Sequence, residues 1–146
     1  MKKLILSLAM LTATIAFAQK KEIANAVKAV DSGDLTTANS ELSKAEGMFG
    51  EKTYLLEPSV LEQYYYAKGL SLLKSGKSTE GAEYLAKINT LGSEDIYSGK
   101  DADKNKVYFV GKESADKFGN GISLKQEKYA PSLTEKLRQS IDPLLR

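Results

Sequence analysis

Between Ser59 and Ile88 apolar positions recur at helical spacing, break once, and resume at the same spacing. Leu61, Tyr65, Leu72 and Leu73 mark the first stripe, with Gly69 on the same side. Ser59 and Glu62 have the spacing of a capping box, in which hydroxyl and carboxylate each satisfy an orphan backbone donor, so a helix is predicted to open there. Lys74-Ser75-Gly76-Lys77 ends it, with Gly76 suited to the left-handed position past a helix C-terminus. Ser78 is placed to cap a second helix, which turns Gly81, Leu85 and Ile88 inward. A glycine inside a helix costs about 0.5–1 kcal/mol relative to alanine. Two of them, Gly69 and Gly81, predict that these helices cross at short range.

The stretch from Lys20 to Phe49 has the same plan. Ile23, Val27 and Val30 form a stripe on one helix, and Ala38, Leu42, Ala45 and Phe49 form one on the next. Asp31-Ser32-Gly33-Asp34 is the turn between them, with Gly33 ending the first helix and Asp34 capping the second. Small or apolar residues fall at matching distances from the two turn glycines: Ala26 with Gly69 before them, Ala38 with Gly81 and Ala45 with Ile88 after them. Glu46 to Pro58 is a linker punctuated by Gly47, Gly50 and Pro58, or else a one-turn extension of the preceding helix. Met48, Phe49, Tyr54, Leu55 and Leu56 are available to hold it against the helices.

Beyond Leu91-Gly92 the helical period stops. Ile96 to Ser98 and the β-branched, aromatic run Val107-Tyr108-Phe109-Val110 predict a small hairpin around the polar loop Gly99 to Lys106. A short helix is expected over Lys112 to Phe118, ended by Gly119-Asn120-Gly121, and an extended segment over Ile122 to Tyr129. Pro131 and a second capping box, Ser132 to Glu135, open a last helix with Leu133, Leu137 and Ile141 on one face. Asp142-Pro143 should end it, leaving Leu144-Leu145 apolar at the terminus.

The helix pairs resemble the tetratricopeptide repeat, a helix–turn–helix unit of about 34 residues. Tyr65, Lys68-Gly69, Leu72, Gly81 and Leu85 stand at its signature positions, with Gly76 in the turn and Ile88 last. The resemblance implies a mainly α fold: two antiparallel pairs over 19–92, followed by a small α/β tail over 93–146. About three such units are needed to bury a continuous core, so the tail is expected to supply the missing cover. From Ile96 to Phe118 that tail more loosely resembles insertions in exported tetratricopeptide-like proteins of Gram-negative bacteria.

Carried over residue by residue, the packing positions are Ala26, Gly33, Ala38, Ala45, Tyr65, Gly69, Gly76, Gly81, Leu85 and Ile88. The family's concave, peptide-binding side would be lined by Gln63, Tyr66, Leu70 and Lys74, with Ile23 and Val27 as their counterparts on the first pair. In that groove, aromatic and aliphatic anchors and a lysine for a carboxylate would hold a peptide. The alternative is that these residues pack against the tail.

The start of the chain changes the picture of where it works. Lys2 and Lys3, the apolar run Leu4 to Phe17 and Ala16-Phe17-Ala18 read as a signal peptide over 1–18, cleaved between Ala18 and Gln19. The run is short against the about 20 residues of a membrane span, and no cysteine follows for a lipid anchor. An exported protein, periplasmic or secreted and without a stable membrane anchor after cleavage, is the expectation. Lys2 and Lys3 also account for the formal net charge of +2, so nothing points to nucleic acid as a partner.

Candidate chemistry is thin. The chain has no histidine and no cysteine, which removes the commonest general base, metal ligand and thiol nucleophile. Asp101, Asp103 and Asn105 alternate like the start of a calcium loop, but the loop glycine is missing and Lys112 stands where the bidentate glutamate belongs. A polar hairpin loop is the better reading. Gly76-Lys77-Ser78 is a turn and not a phosphate loop, since Ser71 occupies the earlier glycine position. No cofactor, metal or catalytic residue is expected. The sequence favours a non-catalytic module that binds a protein or peptide of the cell envelope. Its rivals are a secreted Ser/Lys hydrolase and a truncated remnant of a longer repeat protein.

Overall fold

A computed structural model describes residues 19–142. The leader, its cleavage residue Ala18 and the Leu144-Leu145 terminus lie outside the described residues. Helix α1 covers residues 19–31, and α2 follows at Leu35–Phe49. A 3-10 turn at Thr53–Leu55 leads to α3, Pro58–Lys74, and α4, Ser78–Ser93. The rest is β1 (Ile96–Lys100), β2 (Lys106–Val110), α5 (Lys112–Phe118), β3 (Lys125–Glu127) and α6 (Thr134–Ile141). The fold is mainly helical, with one small antiparallel sheet.

The two helix–helix turns are built alike, for one physical reason. Gly33 and Gly76 take φ of 81° and 85°, a region open to glycine at little cost. That conformation lets the following residues satisfy the last carbonyls of the preceding helix. Gly33 N–H reaches Val30 O at 3.1 Å and Asp34 N–H reaches Ala29 O at 2.8 Å. Gly76 N–H reaches Leu73 O at 3.1 Å and Lys77 N–H reaches Leu72 O at 2.9 Å.

Asp34 then caps α2, accepting from Thr37 N–H at 3.1 Å and from the Thr37 hydroxyl at 2.6 Å. Those two bonds hold its carboxyl below the usual range. A lowered folded pKa contributes stability that is present above the unfolded value and is lost as pH falls through the folded one. Asp34→Ala is therefore expected to lower the thermal midpoint at neutral pH, with the deficit closing as the buffer is acidified. A deficit independent of pH would show that the charge plays no part.

The other predicted caps do not form. Helix α3 opens at Pro58 with Glu57 at the cap position and no side-chain cap bond, because proline at the first turn needs no N–H partner. Ser59 is left exposed inside the helix and Glu62 is engaged elsewhere. Helix α4 opens behind Lys77, with Ser78 already its first residue. The predicted Ser132–Glu135 box is replaced by a start at Thr134, with Glu135 paired to Arg138 at 2.6 Å.

Helix α3 is the central element and is buried on three sides. Toward α2, the Tyr64 hydroxyl donates to Glu46 Oε2 at 2.7 Å and the Ser71 hydroxyl to Asn39 Oδ1 at 2.6 Å. The Tyr64 ring also meets Phe49 edge-on at 5.1 Å. Toward α4, a Cβ built on Gly81 would lie 2.8 Å from Gly69 O, and one on Gly69 would overlap the Leu85 side chain. The expected short crossing is present, and the contacts of Gly69 with Leu85 and of Gly81 with Leu73 run antiparallel.

Helix α2 runs through Phe49, so Glu46 to Phe49 extend it by one turn and the linker is confined to the residues from Gly50 up to Pro58. The hairpin forms as expected with longer strands, Tyr97 opposite Phe109 and Lys100 opposite Lys106. Its loop is organised by Asp101, whose Oδ1 accepts from Asp103 N–H and Asn105 N–H at 2.9 Å each. The carboxylate is spent on the backbone, as a polar turn requires. Strand β3 adds to the other side of β1, giving the order β2-β1-β3. Ile96 and Leu137 join the main helical core. Val107, Phe109 and Ala115 form a smaller cluster with Tyr54 and Leu55 from the linker. No helix among the described residues is long and apolar enough to cross a membrane.

Candidate functional site

The six residues predicted to line a groove fall on α1 and α3, and α6 lies over this face. Tyr66 and Ile23 are 0 % exposed and Leu70 is 1 % exposed. Val27 is half-buried against the core together with Leu133 and Ile141 from the tail. Gln63 is half-buried. Lys74, expected to orient a carboxylate, donates to Val30 O at 3.2 Å and so helps terminate α1. An open groove on these residues is thus replaced by a covered face, because the two helix pairs leave apolar surface that the tail buries.

The cover is fastened at two points. Near the start of α6, Glu62 accepts from the Tyr129 hydroxyl at 2.6 Å, Ser132 N–H at 3.2 Å, the Ser132 hydroxyl at 3.4 Å and Leu133 N–H at 2.9 Å. Burial and this carboxylate push the Tyr129 phenol upward, burial contributing most. Near its end, the Tyr66 hydroxyl donates to Asp31 Oδ1 at 2.8 Å and lies 3.3 Å from Ser140 Oγ. Lys136 pairs with Asp31 and places its ammonium 5.2 Å from the Tyr66 ring centre. Sequence reasoning missed Glu62 by assigning it to a cap. Its spacing of i, i+4, i+8 with Tyr66 and Leu70 already put it on their face.

A second concavity, which the sequence did not suggest, remains open. It has a volume of about 850 Å³ and lies between the end of α2, the linker, α3, α4, β2 and α5. Two large apolar side chains stay exposed among the described residues, Met48 at 37 % and Phe118 at 53 %, and both line this cleft. Phe118 stacks on Tyr54 with centres 5.9 Å apart, and Tyr54 meets Phe109 at 5.3 Å. On the facing wall the Lys87 ammonium lies 4.9 Å from the Tyr84 ring centre and 5.6 Å from that of Tyr65. Burial, aided by Tyr84, holds the Tyr65 phenol up at about 12. It therefore stays protonated and able to donate.

The arrangement offers apolar platforms, a protonated phenol and charged groups of both signs, Lys52 and Lys87 together with Glu51. No group of three or more His, Cys, Asp or Glu is placed to hold a metal ion among the described residues. Comparison with protein-family models, with curated proteins and with solved structures found no match.

Proposed function

We propose that this chain is an exported, non-catalytic interaction module of the cell envelope, tetratricopeptide-like in its helix pairs, that binds a peptide segment of a partner protein. The observation that carries this reading is the convergence of Met48 and Phe118, the two large apolar side chains exposed among the described residues, on one open cleft. Isolated exposed apolar residues need no explanation, whereas their gathering in a concavity is what binding sites have in common. Lys52 and Lys87 suit a ligand that carries a carboxylate beside an aromatic or aliphatic anchor. Here the cations stand on the cleft rim, in place of Lys74 on the covered face.

In-cell crosslinking of the tagged protein followed by mass spectrometry tests this, beside Phe118→Ser and Lys87→Glu variants. Phe118 stacks on Tyr54 and Lys87 lies over the Tyr84 ring, so each change is expected to cost about 0.5–1.5 kcal/mol. Thermal midpoints measured beside the capture show that both variants remain folded. Partners captured by the parent should be lost from both variants and kept by a Lys77→Glu control at the α3–α4 turn. Equal capture by all four proteins, or capture by none, would sink the proposal.

A further inference from the structure

The main-chain groups that border the open cleft are fixed by the register of the hairpin. Facing residues of an antiparallel pair alternate between those that exchange hydrogen bonds and those that do not. Gly111 N–H donates to Asp95 O at 2.8 Å and Asp101 N–H to Asn105 O at 3.0 Å, just beyond either end of the β1–β2 ladder. Counting inward from both, Val107 and Phe109 bond to β1, whereas Tyr108 and Val110 turn their N–H and C=O groups to the opposite side. Strand β2 stands at the end of the sheet order, so no strand lies there. Among the described residues no backbone bond from the linker reaches these groups either. The cleft follows this side of the strand. Tyr108 and Val110 pack against the main core and Phe109 belongs to the smaller cluster on the other face, yet all three line the same cavity. Residues from opposite faces of one strand share a concavity where it runs along the strand's edge.

We propose that the partner peptide binds as an extended strand added to the free edge of β2, an inference that rests on the cleft's being the peptide site. Main-chain pairing of this kind supplies affinity, and the alternate side chains supply selectivity. The N–H and C=O groups of Tyr108 and Val110 each gain a partner. Ligand side chains opposite these two residues turn toward Leu61, Tyr65 and Leu91, and the one between them turns toward Tyr54 and Phe118. The ligand class is therefore a short, apolar, extended segment. A helix has already spent its main-chain groups on itself and would leave the edge unpaired. The sheet's other edge is unsuited to the task. Strand β3 spans only Lys125–Glu127 and is exposed throughout, and short strands with charged side chains resist edge pairing. From Val107 to Val110, β2 carries no charge.

The probe is a heptapeptide selected from a phage-displayed library on the unaltered protein, with Phe118→Ser as counter-selection. It is then synthesised with a single N-methyl group at each residue in turn, and binding is read by fluorescence anisotropy. An added strand predicts alternation. Methylation where the N–H faces β2 should weaken binding about tenfold or more, and methylation of the residues between should change it by no more than about twofold. Equal loss at successive residues, or loss at none, would overturn the added strand while leaving the cleft as the peptide site. A library that yields no binder requiring Phe118 would overturn the cleft reading and this inference with it. Hydrogen exchange on the unaltered protein needs neither variant nor ligand. Amides of Tyr108 and Val110 should exchange about tenfold or more faster than those of Val107 and Phe109, and should slow when the heptapeptide is added. Equal protection in the free protein would show the edge to be closed, and protection that grows with protein concentration would give it to a second copy of the chain. Either result overturns the proposal.

Discussion

Tyr66→Ala is expected to cost about 3–5 kcal/mol, the range for removing a buried aromatic ring. The ring is fully buried, and its hydroxyl ties α3 to Asp31 at the end of α1 and to Ser140 in α6. Against a total stability of about 5–15 kcal/mol, the loss is a large share. Combined with Leu70→Ala, at about 2–5 kcal/mol more, it should abolish cooperative unfolding altogether. Urea titration checks this: the midpoint should fall sharply with an unchanged slope for the single variant. A loss below about 1 kcal/mol would mean that α6 does not hold Tyr66 out of water.

Tyr66→Phe separates ring from hydroxyl and should cost only about 1 kcal/mol. It also bears on alkaline stability, since burial pushes the Tyr66 phenol up to about 12. A raised folded pKa keeps its stabilising contribution below the unfolded value near 10, then loses it as pH rises toward 12. The parent should therefore weaken across that window, and Tyr66→Phe should weaken less.

These effects bear on which parts of the structure the sequence made legible. The helix pairs and the hairpin follow from local information, namely apolar spacing and two glycines at positive φ, which tertiary contacts reinforce. Strand β3 is visible in the sequence only as part of an extended segment, because Lys125, Gln126 and Glu127 are all exposed and leave no alternation to detect. The Ser59–Glu62 cap failed for a different reason. Ser59 and Glu62 match a cap by spacing, but Pro58 opens the helix without one and the carboxylate is drawn to the tail. Gln63, Tyr66, Leu70 and Lys74 share a helix face by spacing, and spacing alone carries no information about what covers that face. The open cleft was invisible because Met48, Tyr54, Lys87, Tyr108 and Phe118 come from separate elements that only the tertiary fold brings together.

Gly81→Ala is expected to lower stability by roughly 1–2 kcal/mol, the balance of two opposed terms. An alanine in a helix gains about 0.5–1 kcal/mol over glycine, and overpacking a tight interface costs about 1–3 kcal/mol. The steric term wins here because the new methyl would meet backbone, with Gly69 O at 2.8 Å and Leu73 N at 3.0 Å, as well as Leu73 Cγ at 2.9 Å. A rotamer change can move the Leu73 side chain aside, but only separation of α3 from α4 relieves the backbone contacts. Gly47→Ala supplies the control. Gly47 lies in α2 with nothing within 4 Å of its built Cβ and without a positive φ. That substitution should therefore stabilise the protein by about 0.5–1 kcal/mol. Thermal midpoints moving in opposite directions would tie the cost to the α3–α4 crossing and not to glycine content. If both variants were stabilised, the helices would have to sit farther apart than the Gly69–Gly81 contact requires.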